Sequence, residues 1–514
     1  MRFYRPVLVA SLGVLCVLAA LHGCGGRGSG TCEPACTNGA SCVDGQCAST
    51  CVPSACGYDG ICVDGGCARA HPGVSCPPPV LVAGGTVGPA TPPQGCQKPV
   101  RPTALSPAQV QELGVHPVGR TVSFNVPQNT ASVSIVSQAV TAPESITYQG
   151  QLLDNSVVPD KLFAPDGVLW FDDNVFPPDL ADAFAEYGGG SPVVNFFTIP
   201  NTQRAVNIAR DGGVPPGTWQ FRVNDYSYEC LAISGCDGGT DAGNYDVKVL
   251  TKPGSPARPG TLDLGIYLVQ NNGMDSGSAL SDPHMERMLK SLTTLFAQQG
   301  ICPGTVTFYD VPAWAQARYA IGIDADFTGP CDAISQMFTL SQDNRSLNLF
   351  FVSAISGGSS GGSVLGIDGT IPGPSTIGGT VHSGAAVSVD DLTAGTCGYI
   401  VSPLVCGADE VAYIAAHEAG HWLGLFHTTE ATGTFWDPLA DTPRCVCQSC
   451  VPPASIASCG NASNPTLVTS STCGNAKPEC GGSDNLMFWL LGSSTGGKLT
   501  PVQGEVLYRN LAVQ

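Results

Sequence analysis

Three of the chain's eight histidines fall within eleven consecutive positions, in the stretch AAHEAGHWLGLFHTTE near the C-terminus. His417 and His421 are four residues apart, a spacing that places both imidazoles on one face of a helix, one turn from each other. Glu418 follows the first histidine and lies on nearly the same face. Gly424 permits the positive φ that ends a helix and turns the chain back, so His427 can return to the same point.

This arrangement predicts a zinc site with hydrolytic chemistry. Zinc lowers the pKa of a bound water to about 7, and a carboxylate beside that water can take its proton and deliver it to a leaving amine. We therefore predict His417, His421 and His427 as zinc ligands and Glu418 as the general base. The alternative is three histidines on a surface helix and loop, with a solvated glutamate. The apolar residues of HWLGLF favour a packed segment over that alternative.

The elements that hold these residues can be predicted from periodicity. Residues 409–424 contain good helix formers, and Asp409 and Glu410 favour the positive end of that helix. Upstream, residues 261–269 form an apolar strand candidate, and Asp282 followed by proline begins a second helix with apolar residues at helical spacing. TVTFYDV, SLNLFFVSAI and AAVSV are further strands, the last a candidate edge strand. This order predicts a mixed sheet with packed helices.

The segment HEAGHWLGLFH resembles the metzincin clan of zinc peptidases, whose consensus H-E-x-x-H-x-x-G-x-x-H it matches at every fixed position. Met487 in SDNLMFW resembles the clan's Met-turn, which puts a methionine under the histidines. ADTPRC and NLM resemble segments of the pappalysin group, and the likeness covers about residues 260–514. It implies an α+β catalytic domain with a zinc cleft between two lobes, and a peptide bound along an edge strand, for which AAVSV is a candidate.

Three features near this motif need separate interpretation. Many clan members have a tyrosine two residues after the Met-turn methionine, where this chain has Trp489, so any role of that tyrosine is absent or altered. Asp437 and Asp441 are candidate calcium ligands, as in some pappalysins. Six cysteines lie between His427 and Met487. They predict disulfides in an irregular lobe, with a second metal site as the alternative.

The N-terminus predicts export. Two arginines precede an apolar run too short to span a bilayer comfortably, so residues 1–23 are predicted as a signal peptide. LHGC at its end resembles a bacterial lipobox, which implies a lipidated Cys24 and a flexible tether over residues 24–30. The alternative is ordinary cleavage near Ala19 or Gly23. We expect a lipoprotein on the bacterial cell envelope or surface, or otherwise a secreted protein.

Residues 31–70 contain an internal duplication, with ASCVDGQC repeated as GICVDGGC. Each module of about twenty residues is too small for its own core and resembles EGF-like cysteine modules; a zinc ribbon is the alternative, but no histidine accompanies the cysteines. Of 24 cysteines, Cys16 leaves with the signal and Cys24 would carry lipid, which leaves 22, an even number that fits complete pairing.

Two further regions separate these modules from the metal motif. Residues 71–118 are rich in Pro, Gly and Val without sustained periodicity, which predicts a linker that Cys76 and Cys96 could close into a loop. Residues 119–252 show repeated two-residue alternation between turn residues, which predicts an all-β sandwich. The expected architecture is therefore multidomain: disulfide-rich repeats, a β-sandwich accessory domain and an α+β peptidase domain.

The amino-acid composition indicates which classes of molecule the protein can bind. The net charge is −19 and charged residues make up 12% of the chain, without any Lys/Arg run that could follow a phosphate backbone, so nucleic acid is excluded as a partner. The predicted function is a zinc-dependent endopeptidase acting on extracellular proteins or peptides. The alternative is a surface adhesion or binding protein with a vestigial metal site. Cleavage specificity, latency and oligomeric state have no readable motif.

Overall fold

The computed structural model describes the side chains of residues 76–93, 110–140, 159–173, 179–186, 194–223, 244–254, 259–270, 273–320, 323, 332–342, 344–356, 364–394, 407–461, 465–474, 480–491 and 497–514. Beyond these it describes only the backbone of strand segments named below. The predicted signal peptide and the tether that begins at Cys24 lie outside the described residues, apart from one short strand. Among the described residues, no helix is both long and apolar enough to cross a membrane.

The two cysteine-rich modules form the same element, a short antiparallel hairpin. In the backbone register of each strand pair two cysteine positions are partners, Cys42 with Cys47 and Cys62 with Cys67. The duplicated sequence therefore gives a duplicated backbone. The strands at this end of the chain are β1 Arg2–Arg5, β2 Ser41–Val43, β3 Gln46–Ala48, β4 Gly60–Val63 and β5 Gly66–Arg69.

The prediction of a linker over residues 71–118 is wrong in two places. Strand β6, Val80–Thr86, pairs in parallel with the strand Ile301–Asp310 of the sheet described below. Cys76 forms a disulfide with Cys302 and not with Cys96. Strand β7, Gln109–Pro117, belongs to the sandwich, which therefore starts before residue 119. Sequence periodicity missed β6 because it is a mostly exposed strand, and it missed β7 because a register shift interrupts the alternation.

Two four-stranded antiparallel sheets form the predicted sandwich, in the orders β13-β12-β15-β8 and β14-β9-β16-β7. Buried Phe124, Ile135, Trp219, Phe221 and Val249 from both sheets share one core. A separate hairpin pairs β10 with β11. The bounds are β8 Thr121–Val126, β9 Thr130–Ala139, β10 Ser145–Tyr148, β11 Gln151–Asp154, β12 Ser156–Phe163, β13 Leu169–Asp172, β14 Val194–Ile199, β15 Gly217–Tyr226 and β16 Asn244–Pro253, with helix α1 Gln203–Arg210.

The C-terminal region contains a mixed nine-stranded sheet in the order β19-β21-β22-β23-β20-β17-β18-β6, with β1 paired to β22. Strands β17, β18, β20, β23 and β6 run parallel, whereas β22 is antiparallel to its neighbours. The mixed sheet and packed helices make this an α+β unit. The bounds are β17 Gly260–Leu268, β18 Ile301–Asp310, β19 Ile323–Asp324, β20 Leu347–Val352, β21 Ile355–Ser356, β22 Ser363–Asp368 and β23 Ala385–Ser388.

The prediction that AAVSV is an edge strand is wrong. Strand β23 lies inside the sheet, with Ala385 paired to Leu349 of β20 and Val387 paired to Gly366 of β22. The sequence did not reveal β22 because its apolar residues follow a Gly/Ser-rich stretch and show no clean alternation. Its pairing is decided by the tertiary fold.

Helices pack on the sheet, and the helix Pro283–Ala297 packs against the helix Gly407–Trp422, which carries His417 and His421. The helices are α2 Pro283–Ala297, α3 Ala313–Tyr319, α4 Ala333–Phe338, α5 Gly407–Trp422, α6 Cys447–Cys450 and α7 Pro501–Arg509. Asp282 caps α2 by accepting bonds from the N–H groups of His284 and Met285, as predicted. Arg287 of α2 forms a bidentate ion pair with Asp409 of α5, at 2.7 and 3.1 Å. This pair fixes the start of the motif helix.

The sandwich packs directly on the C-terminal unit, which comprises the nine-stranded sheet and the helices from Gly260 to the end of the chain. Val136, Phe196 and Leu250 from the sandwich join a buried cluster with Ile377 and Leu511. Burial of each such side chain contributes about 1.5–3 kcal/mol. The interface is therefore a packed core and not a loose tether between two domains.

A disulfide lobe follows the third histidine. Its six cysteines form the pairs Cys445–Cys473, Cys447–Cys459 and Cys450–Cys480. They enclose a small core that also contains Phe488 and Trp489. Disulfides, and not a second metal site, therefore account for these cysteines.

Candidate metal centre

Helix α5 brings the first two histidines together in the buried interior of the protein. His417, Glu418 and His421 are each 0% exposed. The Nε2 atoms of His417 and His421 lie 3.1 Å apart. The spacing of four residues thus gives one common point, as the helical period requires.

The third histidine returns to that point through a glycine turn. Gly424 has φ of 111°, and the next residue, Leu425, donates its N–H to the carbonyl of Gly420 at 2.9 Å. A side chain at Gly424 would be strained in this conformation. The turn places the Nε2 of His427 3.2 Å from that of His417.

The remaining ring nitrogens define which atoms can bind a metal. The Nδ1 atoms of His417 and His421 lie 2.7 Å from the carbonyl oxygens of Leu486 and Leu425. Carbonyl oxygens only accept hydrogen bonds, so each Nδ1 carries the proton and each Nε2 carries a lone pair. Lone pairs that face each other at 3.1 Å repel unless a cation lies between them. A tetrahedral zinc ion would hold such nitrogens about 3.3 Å apart.

Burial also sets the charge of these ligands. Desolvation lowers the pKa of His417 and of His421 well below the usual 6.5. Both imidazoles are therefore neutral at neutral pH, which is the form that binds metal. The residues fit a divalent ion with nitrogen ligands.

Met487 packs against Gly420, which lies between the two helical histidines, and is 0% exposed. Its turn is fixed by Asn485, whose Oδ1 accepts the N–H of Met487 at 2.8 Å. The hydroxyl of Tyr413 on α5 donates to the carbonyls of Asn485 and Leu486 at 3.1 Å. The N–H of Thr428 donates to the carbonyl of Met487 at 3.0 Å. The turn is thus bonded to both the helix and the returning chain.

Glu418 has an unusual environment for a carboxylate. Both of its carboxylate oxygens are buried away from solvent, and the backbone N–H of Asp368 acts on the carboxylate as a hydrogen-bond donor. Burial, and secondly the charge of Asp368, raise the pKa of Glu418 well above its usual value. An isolated buried carboxylate costs several kcal/mol, so this position serves chemistry better than stability.

Sequence reasoning missed two acidic neighbours of the histidines. The carboxylate oxygens of Glu430 lie 3.2 Å from Nδ1 of His427 and orient that ring. Its place three residues after His427 is a signal that the sequence did offer. Asp368 lies within 4.8 Å of Glu418 and His421, measured between possible ligand atoms. It comes from β22, and no sequence spacing could have revealed it.

Three other predicted positions lie apart from the histidines. Trp489 donates its Nε1 to the carbonyl of Val468 at 3.0 Å and packs in the disulfide lobe. Asp441 caps α7 by accepting bonds from Thr500 and Val502. Asp437 accepts a bond from Thr442. Among the described residues, neither aspartate belongs to a metal-binding group of three acidic, histidine or cysteine side chains.

No protein-family model and no curated protein matches the chain. Among solved structures, metalloproteinase-II from Bacteroides fragilis is similar at 13% identity, over 38% of this chain and 57% of that chain, with a TM-score of 0.21. Protein YxiM from Bacillus subtilis is similar at 14% identity, over 45% of this chain and 46% of that chain, with a TM-score of 0.12. Conclusions about function therefore rest on the site itself.

Proposed function

We propose that the protein is a zinc-dependent endopeptidase, metzincin-like and related in type to the pappalysins. The observation that carries this proposal is the convergence of three imidazole Nε2 atoms beside the buried carboxylate of Glu418. His417, His421 and His427 would hold the ion. Hydrolysis needs both a metal site and a base within reach, and the two are adjacent here.

Zinc bound there would supply Lewis-acid chemistry, polarising the scissile carbonyl and making water more acidic. Glu418 takes the proton from the attacking water and passes it to the leaving amine. Its raised pKa, caused first by burial, suits both steps because the carboxyl group can hold that proton between them. Glu430 and the carbonyls of Leu486 and Leu425 keep the three imidazoles in place. Met487 supports them from below.

Strand β22 is the element we propose for substrate binding. It passes over Glu418, and β1 adds to it antiparallel, with Tyr4 opposite Val364 and Arg2 opposite Ile367. An extended peptide can use the same backbone groups through strand addition. The substrate would therefore be an unfolded or exposed segment of protein.

The envelope location follows only from the sequence. We propose that Cys24 is lipidated after signal removal and anchors the protein on the outside of the cell membrane, where the substrate would be an extracellular protein or peptide. Substitution of Cys24 by alanine is expected to release the protein into the medium, as measured by fractionation of cells.

The test of the proposed function is Glu418→Gln in the full chain. We expect the variant to bind one zinc ion per chain, as wild type would, and to lose cleavage of casein by at least a hundredfold, because the general base is gone. Glu286→Gln, on an exposed part of α2, is the matched control and should keep wild-type activity. A Glu418→Gln variant that cleaves at the wild-type rate would refute the proposal.

A further inference from the structure

A second buried carboxylate faces the candidate metal position. Ligand atoms of Asp368, Glu418 and His421 all lie within 4.8 Å of one another. His421 is common to this group and to the group of three histidines. Asp368 therefore lies next to one of the three imidazoles that would hold the ion.

The fold places Asp368 there firmly. It is the last residue of β22, is paired with Ala385 of β23 and is 1% exposed. Strand β22 lies so close to α5 that a Cβ at Gly366 would come within 2.5 Å of Oε1 of Glu418 and 2.7 Å of Ile414. The approach of Asp368 to the metal position is thus a consequence of strand register and not of a mobile loop.

The charge of a divalent ion at the three histidines indicates a role for Asp368. Three neutral imidazoles leave a bound divalent ion with its full charge of +2 in a buried site, where uncompensated charge is costly. Glu430 supplies negative charge near the site, but its side chain is partly exposed and contacts only Nδ1 of His427 among the three imidazoles. Asp368 is a buried carboxylate near His421, so its negative charge would offset part of the charge of a bound ion.

We propose that the negative charge of Asp368 raises the affinity of the three-histidine site for a divalent cation. The inference rests on the proposed function for the position of the ion. It concerns affinity, however, and does not require that the protein cleave peptides.

The experiment measures zinc affinity of the full chain by competition with a chromogenic chelator. We expect Asp368→Asn to weaken zinc binding by about 10- to 100-fold, and Asp368→Glu to stay within a few-fold of wild type. Asp310→Asn is the matched control, because Asp310 also ends a strand but bonds to Ser276; it should bind zinc as wild type does.

An Asp368→Asn protein with wild-type zinc affinity overturns the inference. If the asparagine variant does not fold, Asp368→Ser removes the charge with a smaller side chain, and its zinc affinity decides the question in the same way. Failure of the proposed function would look different, because wild type would then bind zinc and cleave no peptide. The two outcomes are read from separate measurements on the same preparations.

Discussion

The sulfur of Met487 packs directly against Gly420, so that a Cβ on that glycine would lie 2.5 Å from Sδ. Gly420 stands between the two helical histidines, in the part of the motif where any residue is permitted by the consensus. The absence of a side chain there is what lets the methionine approach the helix. The contact ties the turn at Met487 to helix α5, which carries His417 and His421, and leads to the first prediction.

Gly420→Ala is expected to destabilise the protein by about 1–3 kcal/mol, because overpacking forces Met487 away. Helix propensity acts in the opposite direction by about 1 kcal/mol, so a net loss shows that the clash is larger. Denaturant unfolding of Gly420→Ala, Met487→Ala and the double variant measures the coupling between the two positions. If the two effects add without coupling, the proposed contact is not important.

Removal of the metal is expected to lower the melting temperature. A ligand that binds only the folded state at a hundred times its Kd stabilises that state by about 2.7 kcal/mol. Thermal unfolding with zinc and with chelator measures the shift. His417→Ala should abolish it, whereas His284→Ala, at the start of α2, should preserve it. An equal shift in both variants would contradict the three-histidine site.

Glu430→Gln is expected to weaken zinc binding by about tenfold, since the amide orients the ring of His427 less strongly than the carboxylate does. Competition with a chelator measures this change. Glu505→Gln on α7, where Glu505 contacts Arg509 at 3.4 Å, is the control and should have no effect on the zinc Kd. Unchanged affinity in Glu430→Gln would show that Glu430 does not position His427.

Lys252→Met is expected to loosen the sandwich from the C-terminal unit. The Nζ of Lys252 donates to the carbonyls of Tyr508, Asn510 and Val513 at the end of the chain. Loss of these bonds leaves buried acceptors unsatisfied, which we expect to cost about 2–4 kcal/mol. Denaturant unfolding measures the change. Lys161→Met should cost less than about 1 kcal/mol, because its ion pair with Asp172 is partly exposed; equal losses in both would contradict the prediction.

His382 is expected to make stability depend on pH between about 6.5 and 4. Burial lowers its pKa from 6.5 to about 4. Below pH 6.5 the unfolded chain therefore binds a proton that the folded chain does not, so the free energy of unfolding falls as pH decreases, by about 3 kcal/mol in total. His382→Gln should show a smaller decrease between pH 7 and 4.5 than wild type. Parallel curves for the two proteins would exclude the effect.

Local rules predicted much of the C-terminal unit. The cap at Asp282, the helix that carries His417 and His421, and the positive φ at Gly424 all depend on residues close in sequence. Strand order was predicted poorly. The interior place of β23, and the strands β6 and β22, depend on partners far along the chain.

By itself the sequence determined which residues could bind a metal and how a helix and a glycine turn would bring three histidines together. Both effects are local, because the helical period and the positive φ of Gly424 act within a few residues. Tertiary structure alone decided that Asp368 faces Glu418, that Cys76 pairs with Cys302, and that the sandwich packs on the end of the chain. Such contacts join segments tens to hundreds of residues apart. They follow from sheet register and core packing, which no local pattern encodes.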